Sequence, residues 1–366
     1  VDVGTRHEAP AVNGAAHLLE HMAFKGTERR SARAIAEEIE AVGGHLNAYT
    51  SRESTAYYAS VLAGDEALAI DIIADILQNS AFEEGELARE RTVILQEIGQ
   101  ANDTPDDIVF DFFQSTAFPD QPVGRPVLGT VERVKKISRT QLAGYMKEHY
   151  AGGSMVFAAA GKLDHDHVVR LVEAAFAALP SGGRGHPDRA RYTGGDFRED
   201  RELEQVHLVL GFEGVRYDDP DNYAISVMST LLGGGMSSRL FQEIREKRGL
   251  VYSVYSFNSA YTDTGILGIY AGTGPGEVAE LVPVLCEELK KVTQNIGEDE
   301  LKRARAQIRA GLLMSLESTS SRAEQLARQL LVFGRQIPPE EINGHIMAVD
   351  AEAAAWAIAD DDPTPS

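Results

Sequence analysis

The chain has 366 residues and is strongly acidic, with 56 Asp and Glu side chains against 35 Lys and Arg, a net charge of −21 and a pI near 4.9. This balance argues against nucleic-acid binding, because proteins neutralise phosphates with Lys and Arg. The negative charge is equally consistent with basic peptides as partners and with a role in solubility alone. The length predicts two domains, and the absence of a run of 18 apolar residues argues against a membrane span.

The first strong signal along the chain is a short apolar helix that carries two histidines. It follows residues 1–8, which have the pattern of a strand interior, and Asn13 is a suitable N-cap for it. His17 and His21 lie four residues apart with Glu20 beside them, so the three side chains are predicted to share one face. The other positions are apolar, so the helix is predicted to be buried, and its polar side chains then need partners.

Such a face can bind zinc. Two neutral imidazoles suit Zn²⁺, and a catalytic zinc takes three protein ligands and leaves one position open. A neighbouring carboxylate can then accept a proton from water. His17, Glu20 and His21 also form the inverted H-x-x-E-H pattern of zinc proteases. The alternative is an amphipathic helix with two solvated histidines.

A third ligand has to come from a later element. A β-hairpin is predicted over residues 46–62, a helix over 66–77 and a longer helix over 83–98. Glutamates recur along the last helix at helical spacing, so they share one stripe. Glu97 has apolar neighbours on both sides and is the best candidate for the third ligand, whereas a solvated acidic face is the alternative for the stripe.

The second part of the chain repeats the order of the first. A second hairpin is predicted over residues 251–271, and the helices after it match those after the first hairpin. In this repeat Ala304 and Gly311 stand at the positions of Glu90 and Glu97. The repeat keeps the same order of elements without these two carboxylates, so the fold does not require them. This supports a functional role for Glu90 and Glu97 in the first half.

We therefore predict the α+β class, with two related halves that are each a largely antiparallel sheet with helices packed on one face. The zinc-carrying half is predicted to span residues 1–180 and the related half without zinc ligands residues 197–366. Residues 181–196 are rich in Pro, Gly and Arg and are predicted to be the linker.

The combined pattern resembles the pitrilysin and mitochondrial-processing-peptidase group of zinc metallopeptidases. The resemblance covers nearly all of the chain and is strongest to the short processing-peptidase-like branch of bacteria and mitochondria. Members of the group have a further strand at each end, so both terminal strands are expected to be missing here. The matching residues are His17-x-x-Glu20-His21, the later Glu90 and Glu97, and the stretches 43–51, 53–57 and 240–253.

The resemblance implies roles for the residues of the zinc motif. One Zn²⁺ per chain is expected to be bound by His17, His21 and Glu97. Glu20 is expected to take a proton from water and to return it to the leaving amine. Glu90 lies two helical turns before Glu97, and the group gives this position a supporting catalytic role, such as orienting a ligand histidine; an exposed glutamate is the alternative.

The resemblance also implies a substrate-binding strand at Asn47 and Ala48. A peptide can add to such a strand through main-chain hydrogen bonds. The small Ala48 side chain allows that approach, and the Asn47 side chain can bond a substrate amide. An ordinary half-buried strand is the alternative.

In the second half, Arg245 and Tyr252 match an arginine–tyrosine pair that the group uses in catalysis. A cation and a phenol can bind substrate carbonyls and a developing oxyanion. Arg248 and Tyr255 have the same spacing, so the spacing alone does not choose between the pairs, and the resemblance favours the first.

The function implied is a zinc endopeptidase that cleaves short or unfolded peptides, including basic presequence-like ones, in an enclosed chamber. A homodimer is expected because one chain holds both the zinc ligands and the arginine–tyrosine pair, and a heterodimer with a ligand-less homologue is the alternative. The rival hypothesis is a non-catalytic partner or scaffold subunit. The expected location is the bacterial cytoplasm, with the mitochondrial matrix as the alternative.

Two further features are predicted to be structural. Cys286 is the one cysteine and lies in a helical pattern, so it is predicted to be a core thiol. The sequence Asp164-His165-Asp166-His167 looks like a metal tract, but Asp164 is predicted to be the N-cap of a helix.

Overall fold

The computed structural model describes residues 1–182, 185 and 188–356. The predicted linker, residues 181–196, therefore lies partly outside the described residues. The same holds for the end of the predicted second half, which spans residues 197–366. No helix in the described part of the chain is both long and apolar enough to cross a membrane.

Helices and short antiparallel strands alternate along the chain. The helices are α1 (Ala15–Ala23), α2 (Ala32–Ala41), α3 (Glu66–Gln78), α4 (Glu84–Asn102), α5 (Pro105–Ala117), α6 (Val131–Val134), α7 (Arg139–His149), α8 (His165–Ala175), α9 (Asn222–Gly233), α10 (Val278–Gln294), α11 (Glu298–Ser315), α12 (Thr319–Phe333), α13 (Pro339–Ala348) and α14 (Ala351–Trp356). The strands are β1 (His45–Thr50), β2 (Thr55–Ser60), β3 (Val206–Gly214), β4 (Val251–Ala260) and β5 (Gly265–Thr273).

The described residues form two compact units, each with its own core. Each unit takes a short stretch from the other part of the sequence: α5 belongs to unit 2, and most of α12 belongs to unit 1. Unit 1 takes its described residues from 1–104, 119–189 and 319–331, and unit 2 from 105–118, 190–318 and 332–366.

Unit 1 is built around α1. Leu18, Leu19 and Met22 are almost completely buried, as the apolar pattern predicts, and they pack with side chains of α3, α4 and α7. Strands β1 and β2 form the predicted hairpin, with Ala48 opposite Tyr57, and β1 contacts α1. The long predicted helix is α4, which also contacts α1.

Unit 2 holds a three-stranded antiparallel sheet in the order β3–β5–β4. Helix α5 packs on β3, and the contact is close because Gly211 has no side chain: a Cβ there would lie 2.2 Å from the Phe113 ring. The second predicted hairpin is β4 and β5, and α9 packs against both. Small antiparallel sheets covered by helices confirm the predicted α+β class.

Three local predictions are wrong. Asn13 is not the N-cap of α1, because the N-cap is Gly14 in a left-handed conformation that a side chain would oppose. Cys286 is exposed, since it lies on the outer side of α10 and not on the side that packs in the core. Residues 1–8 contain no strand. Residues 5–7 form a 3₁₀ turn, and the residues before it make isolated backbone hydrogen bonds to neighbouring segments without forming a ladder. Asp164, by contrast, caps α8 as predicted.

Candidate metal centre

Helices α1 and α4 place three potential metal ligands together in unit 1. The Nε2 atoms of His17 and His21 each lie 3.7 Å from Oε2 of Glu97. The two imidazole rings are edge to face, with centroids 4.6 Å apart. Helical spacing fixes the first two side chains relative to each other, and the packing of α4 on α1 brings the third to them.

The ring of His21 is held from behind by a carboxylate. Its Nδ1 atom lies 3.0 Å from Oε2 of Glu90, and Oε1 of Glu90 is paired with Nζ of Lys25 at 2.8 Å. Glu90 is only 5% exposed, so the exposed alternative for this residue is wrong. This is the contact expected of a group that orients a ligand histidine and leaves its other nitrogen free for a metal.

His17 lies in a different environment. Burial and the neighbouring His21 lower the pKa of His17 to about 4, so the ring is neutral at physiological pH. Its Nδ1 atom is buried and finds no hydrogen-bond partner among the described residues. A side-chain hydrogen bond therefore fixes the ring of His21 but not the ring of His17.

The donor set fits zinc. His17, His21 and Glu97 each offer one ligand atom, and these atoms lie within 4.8 Å of one another. Two imidazoles and one carboxylate are a known ligand set of catalytic zinc, with a fourth position left open. Metal binding also requires neutral imidazoles, and His17 is held in that form. Within the described ranges no other group of metal-binding side chains has this spacing.

Glu20 lies next to the ligands and is held by a strand. The hydroxyl of Thr50, at the end of β1, donates to Oε2 of Glu20 at 2.6 Å. Burial raises the pKa of Glu20, the Thr50 bond and His21 lower it, and the charge of Glu97 adds to the rise. The outcome is a carboxylate that is more basic than a free glutamate, beside the metal ligands but not among them.

The predicted substrate residues lie on β1, and β2 is the one strand that pairs with β1 within the described ranges. Ala48 is buried and Asn47 is exposed, as alternation along a strand requires. Oδ1 of Asn47 accepts the N–H of Ala48 at 2.8 Å. The side chain of Asn47 thus binds a main-chain donor of its own strand.

Arg245 and Tyr252 lie in unit 2 and contact each other. The Arg245 guanidinium is 6.0 Å from the centre of the Tyr252 ring and 4.8 Å from that of Phe241, on a π-helical segment, Phe241–Glu246. Tyr252 is 75% exposed.

The competing pair, Arg248 and Tyr255, is already engaged in unit 2. Arg248 is paired with Glu243 at 2.9 Å, and Tyr255 stacks on Tyr270. These contacts favour Arg245 and Tyr252 as the pair available to a ligand.

Three residues near the metal ligands were not predicted from the sequence. Thr50 bonds Glu20, Lys25 bonds Glu90, and Glu8 accepts hydrogen bonds from the start of α1. Lys25 follows His21 by four residues, which is a weak signal of proximity. The other two contacts join residues that are far apart in sequence or precede the helix, so no spacing rule identifies them.

Two family models match the chain, one in each part of the sequence. A family model described as Insulinase (Peptidase family M16) matches residues 1–131, which contain the metal ligands, and a model described as Peptidase M16 inactive domain matches residues 136–308. An uncharacterized zinc protease of Rickettsia bellii is 44% identical over 350 residues, or 95% of this chain and 85% of the relative. A probable mitochondrial-processing peptidase subunit beta of Arabidopsis thaliana is 42% identical over 366 residues, or 96% of this chain and 69% of the relative.

Solved structures share the fold. A protease from Helicobacter pylori matches with a TM-score of 0.88 at 20% identity, over 97% of this chain and 88% of that one. A peptidase M16 inactive domain from Pseudomonas fluorescens matches with a TM-score of 0.88 at 22% identity, over 97% and 86% of the two chains. At these identities the likeness concerns the fold alone.

Proposed function

Because the chain belongs to the M16 family of peptidases, we propose that it is an active zinc endopeptidase that hydrolyses short or unfolded peptides. The observation that carries the proposal is the donor set of His17, His21 and Glu97, whose ligand atoms lie within 4.8 Å of one another beside the carboxylate of Glu20. The proposal is one zinc ion per chain, since the described residues contain one such set.

The chemistry is divided between the ion and the side chains around it. When bound, zinc supplies a Lewis acid that polarises a carbonyl and makes water more acidic. Glu20 accepts the proton of the attacking water and returns it to the leaving amine, and its raised pKa favours the first transfer. Glu90 and Lys25 keep Nε2 of His21 turned toward Glu97.

Peptides bind in this proposal as an added strand. Among the described residues β1 has a strand partner on one side only, and its other edge offers main-chain groups, which bind peptides of many sequences once the Asn47 side chain releases the N–H of Ala48. The net charge of −21 favours basic, presequence-like peptides by attraction over distance. Arg245 and Tyr252 are the proposed groups for substrate carbonyls and the developing oxyanion.

The assembly and the location of the protein are also part of the proposal. We propose a dimer that encloses a chamber, with a homodimer first because one chain carries all the proposed catalytic groups, and a heterodimer with a ligand-less homologue second. Relatives named as a subunit beta support an assembly of chains. The bacterial zinc proteases among the relatives support a bacterial cytoplasmic location, and the mitochondrial ones make the matrix the second candidate.

A non-catalytic partner subunit is the competing function, and the match of residues 136–308 to a domain described as inactive is the observation that favours it. The test is to measure zinc in purified protein and cleavage of a basic peptide and of a neutral peptide of equal length. We expect about one zinc per chain, and cleavage that a chelator abolishes and added zinc restores. Bound zinc without cleavage of either peptide would support the non-catalytic function instead.

A further inference from the structure

A buried carboxylate from outside α1 holds the start of that helix. Glu8 is 3% exposed, and its Oε1 accepts the N–H of Ala16 at 2.7 Å. Its Oε2 accepts the N–H of Gly14 and the side-chain amide of Asn13, both at 2.9 Å. All three donors lie within the four residues before His17.

These bonds replace an ordinary N-cap. The first N–H groups of a helix have no partners within the helix, and a capping side chain usually accepts from them. Gly14 is the N-cap but has no side chain, so the carboxylate of Glu8, six residues earlier, accepts these hydrogen bonds instead. Gly14 has a φ of +98°, and its backbone lies against Gly129. A Cβ added to Gly129 would lie 2.6 Å from the backbone oxygen of Asn13. The guanidinium of Arg125 in turn donates to the backbone oxygen of Glu8 at 2.6 Å.

The residue that follows this anchored turn is a metal ligand. His17 comes directly after Ala16, and its Nδ1 atom makes no hydrogen bond within the described part of the chain. His21 is oriented by Glu90, but the position of Nε2 of His17 depends on the backbone of the first turn and on packing. The hydrogen bond from Ala16 to Glu8 therefore restrains the backbone next to His17, the proposed histidine ligand whose ring has no side-chain hydrogen bond among the described residues.

We propose that Glu8 is a positioning residue for the metal centre, which acts through the backbone of Gly14 and Ala16 to place His17. This inference rests on the proposed zinc site, but it concerns metal binding and can be tested without turnover. Burial raises the pKa of Glu8 to about 7, while the bonds from Ala16, Asn13 and Gly14 and the charge of Arg125 lower it, so measurements belong at pH 8. The Tyr145 phenol also faces this carboxylate and is neutral at that pH, because burial raises its pKa.

The experiment compares Glu8→Gln with the unchanged protein. Glutamine has nearly the same shape and keeps one acceptor oxygen, but its NH2 nitrogen then faces an N–H donor from which it cannot accept. We expect zinc affinity, measured by competition with a chelator, to weaken about ten-fold, as for other residues that orient ligands. The visible absorption of the cobalt-substituted protein should change, and kcat should fall with KM within about two-fold.

A matched control separates positioning from stability. Ser138→Ala removes the cap of α7, another helix of unit 1, and should lower the melting temperature without changing zinc affinity or the cobalt spectrum. If Glu8→Gln does not fold, Asn13→Ala removes one of the three donors and should shift zinc affinity in the same direction by a smaller factor.

The inference is overturned if folded Glu8→Gln, or Asn13→Ala in its place, keeps the zinc affinity and cobalt spectrum of the unchanged protein. It is also overturned if Ser138→Ala changes them equally. A failure of the proposed function looks different, because the unchanged protein would then bind zinc and cleave no peptide.

Discussion

Replacing Glu20 by glutamine tests the assignment of the proton acceptor. Glu20 is not one of the three metal ligands, so Glu20→Gln should retain zinc. The glutamine oxygen can still accept the Thr50 hydroxyl that now lies 2.6 Å from the carboxylate, so the local structure should persist. The substitution removes only the negative charge and the ability to take a proton.

The expected loss of activity follows from the missing proton transfer. General acid–base catalysis contributes roughly 10²–10⁴-fold to a rate, which corresponds to about 3–5 kcal/mol at 1.36 kcal/mol per factor of ten. We expect kcat to fall by this factor with KM nearly unchanged, because Glu20 takes part in the proton transfers and is not among the groups proposed to bind the peptide.

The assay measures zinc content and peptide cleavage on the same samples. Glu86→Gln is the matched control, since Glu86 is a carboxylate near the solvent that pairs with Arg89 on α4. It should keep both zinc and activity. Glu97→Gln should lose zinc and activity together. Normal cleavage by Glu20→Gln would refute the role of Glu20 as base, and loss of zinc in that variant would show that Glu20 is needed for binding.

Three further predictions concern the residues that support the site. Thr50→Val removes the hydroxyl that holds Glu20 and should lower kcat about ten-fold with zinc content unchanged, so unaltered kinetics would contradict the role of this bond. Lys25→Met leaves Glu90 buried without its cation and should weaken zinc binding about ten-fold in a chelator titration, whereas equal affinity would show that the ion pair is dispensable. Burial raises the pKa of Asp75, but its hydrogen bonds from a threonine, an asparagine and two arginines outweigh this and hold the pKa below its usual value. Its stabilisation is therefore present above the unfolded pKa and lost as the pH falls through the folded one, so thermal melts of Asp75→Asn should depend less on pH below about 4 than melts of the unchanged protein.

Elements with a clear period were predicted well. The two hairpins and the helices α3 and α4 lie within a few residues of their predicted ranges, because alternation and helical spacing are properties of the local chain. The wrong N-cap has a physical cause: Asn13 is a good cap by type, but a distant carboxylate competes for the same donors. Cys286 was misplaced because composition does not determine which side of a helix faces the core.

The local sequence is enough to predict the pair of imidazoles and the nearby carboxylate. His17, Glu20 and His21 share a helix, and the helical repeat fixes their relation before any tertiary contact forms. It also indicated Glu97 as a candidate, through apolar neighbours and comparison with Gly311 in the repeat.

Which distant groups contact that helix depends on how the elements pack together. Glu97 and Glu90 reach the histidines because α4 packs on α1, Thr50 reaches Glu20 from the end of β1, and Glu8 reaches the first turn of α1. These contacts depend on the packing of buried surfaces from separate segments, and no local period in a sequence encodes a distance between two such segments.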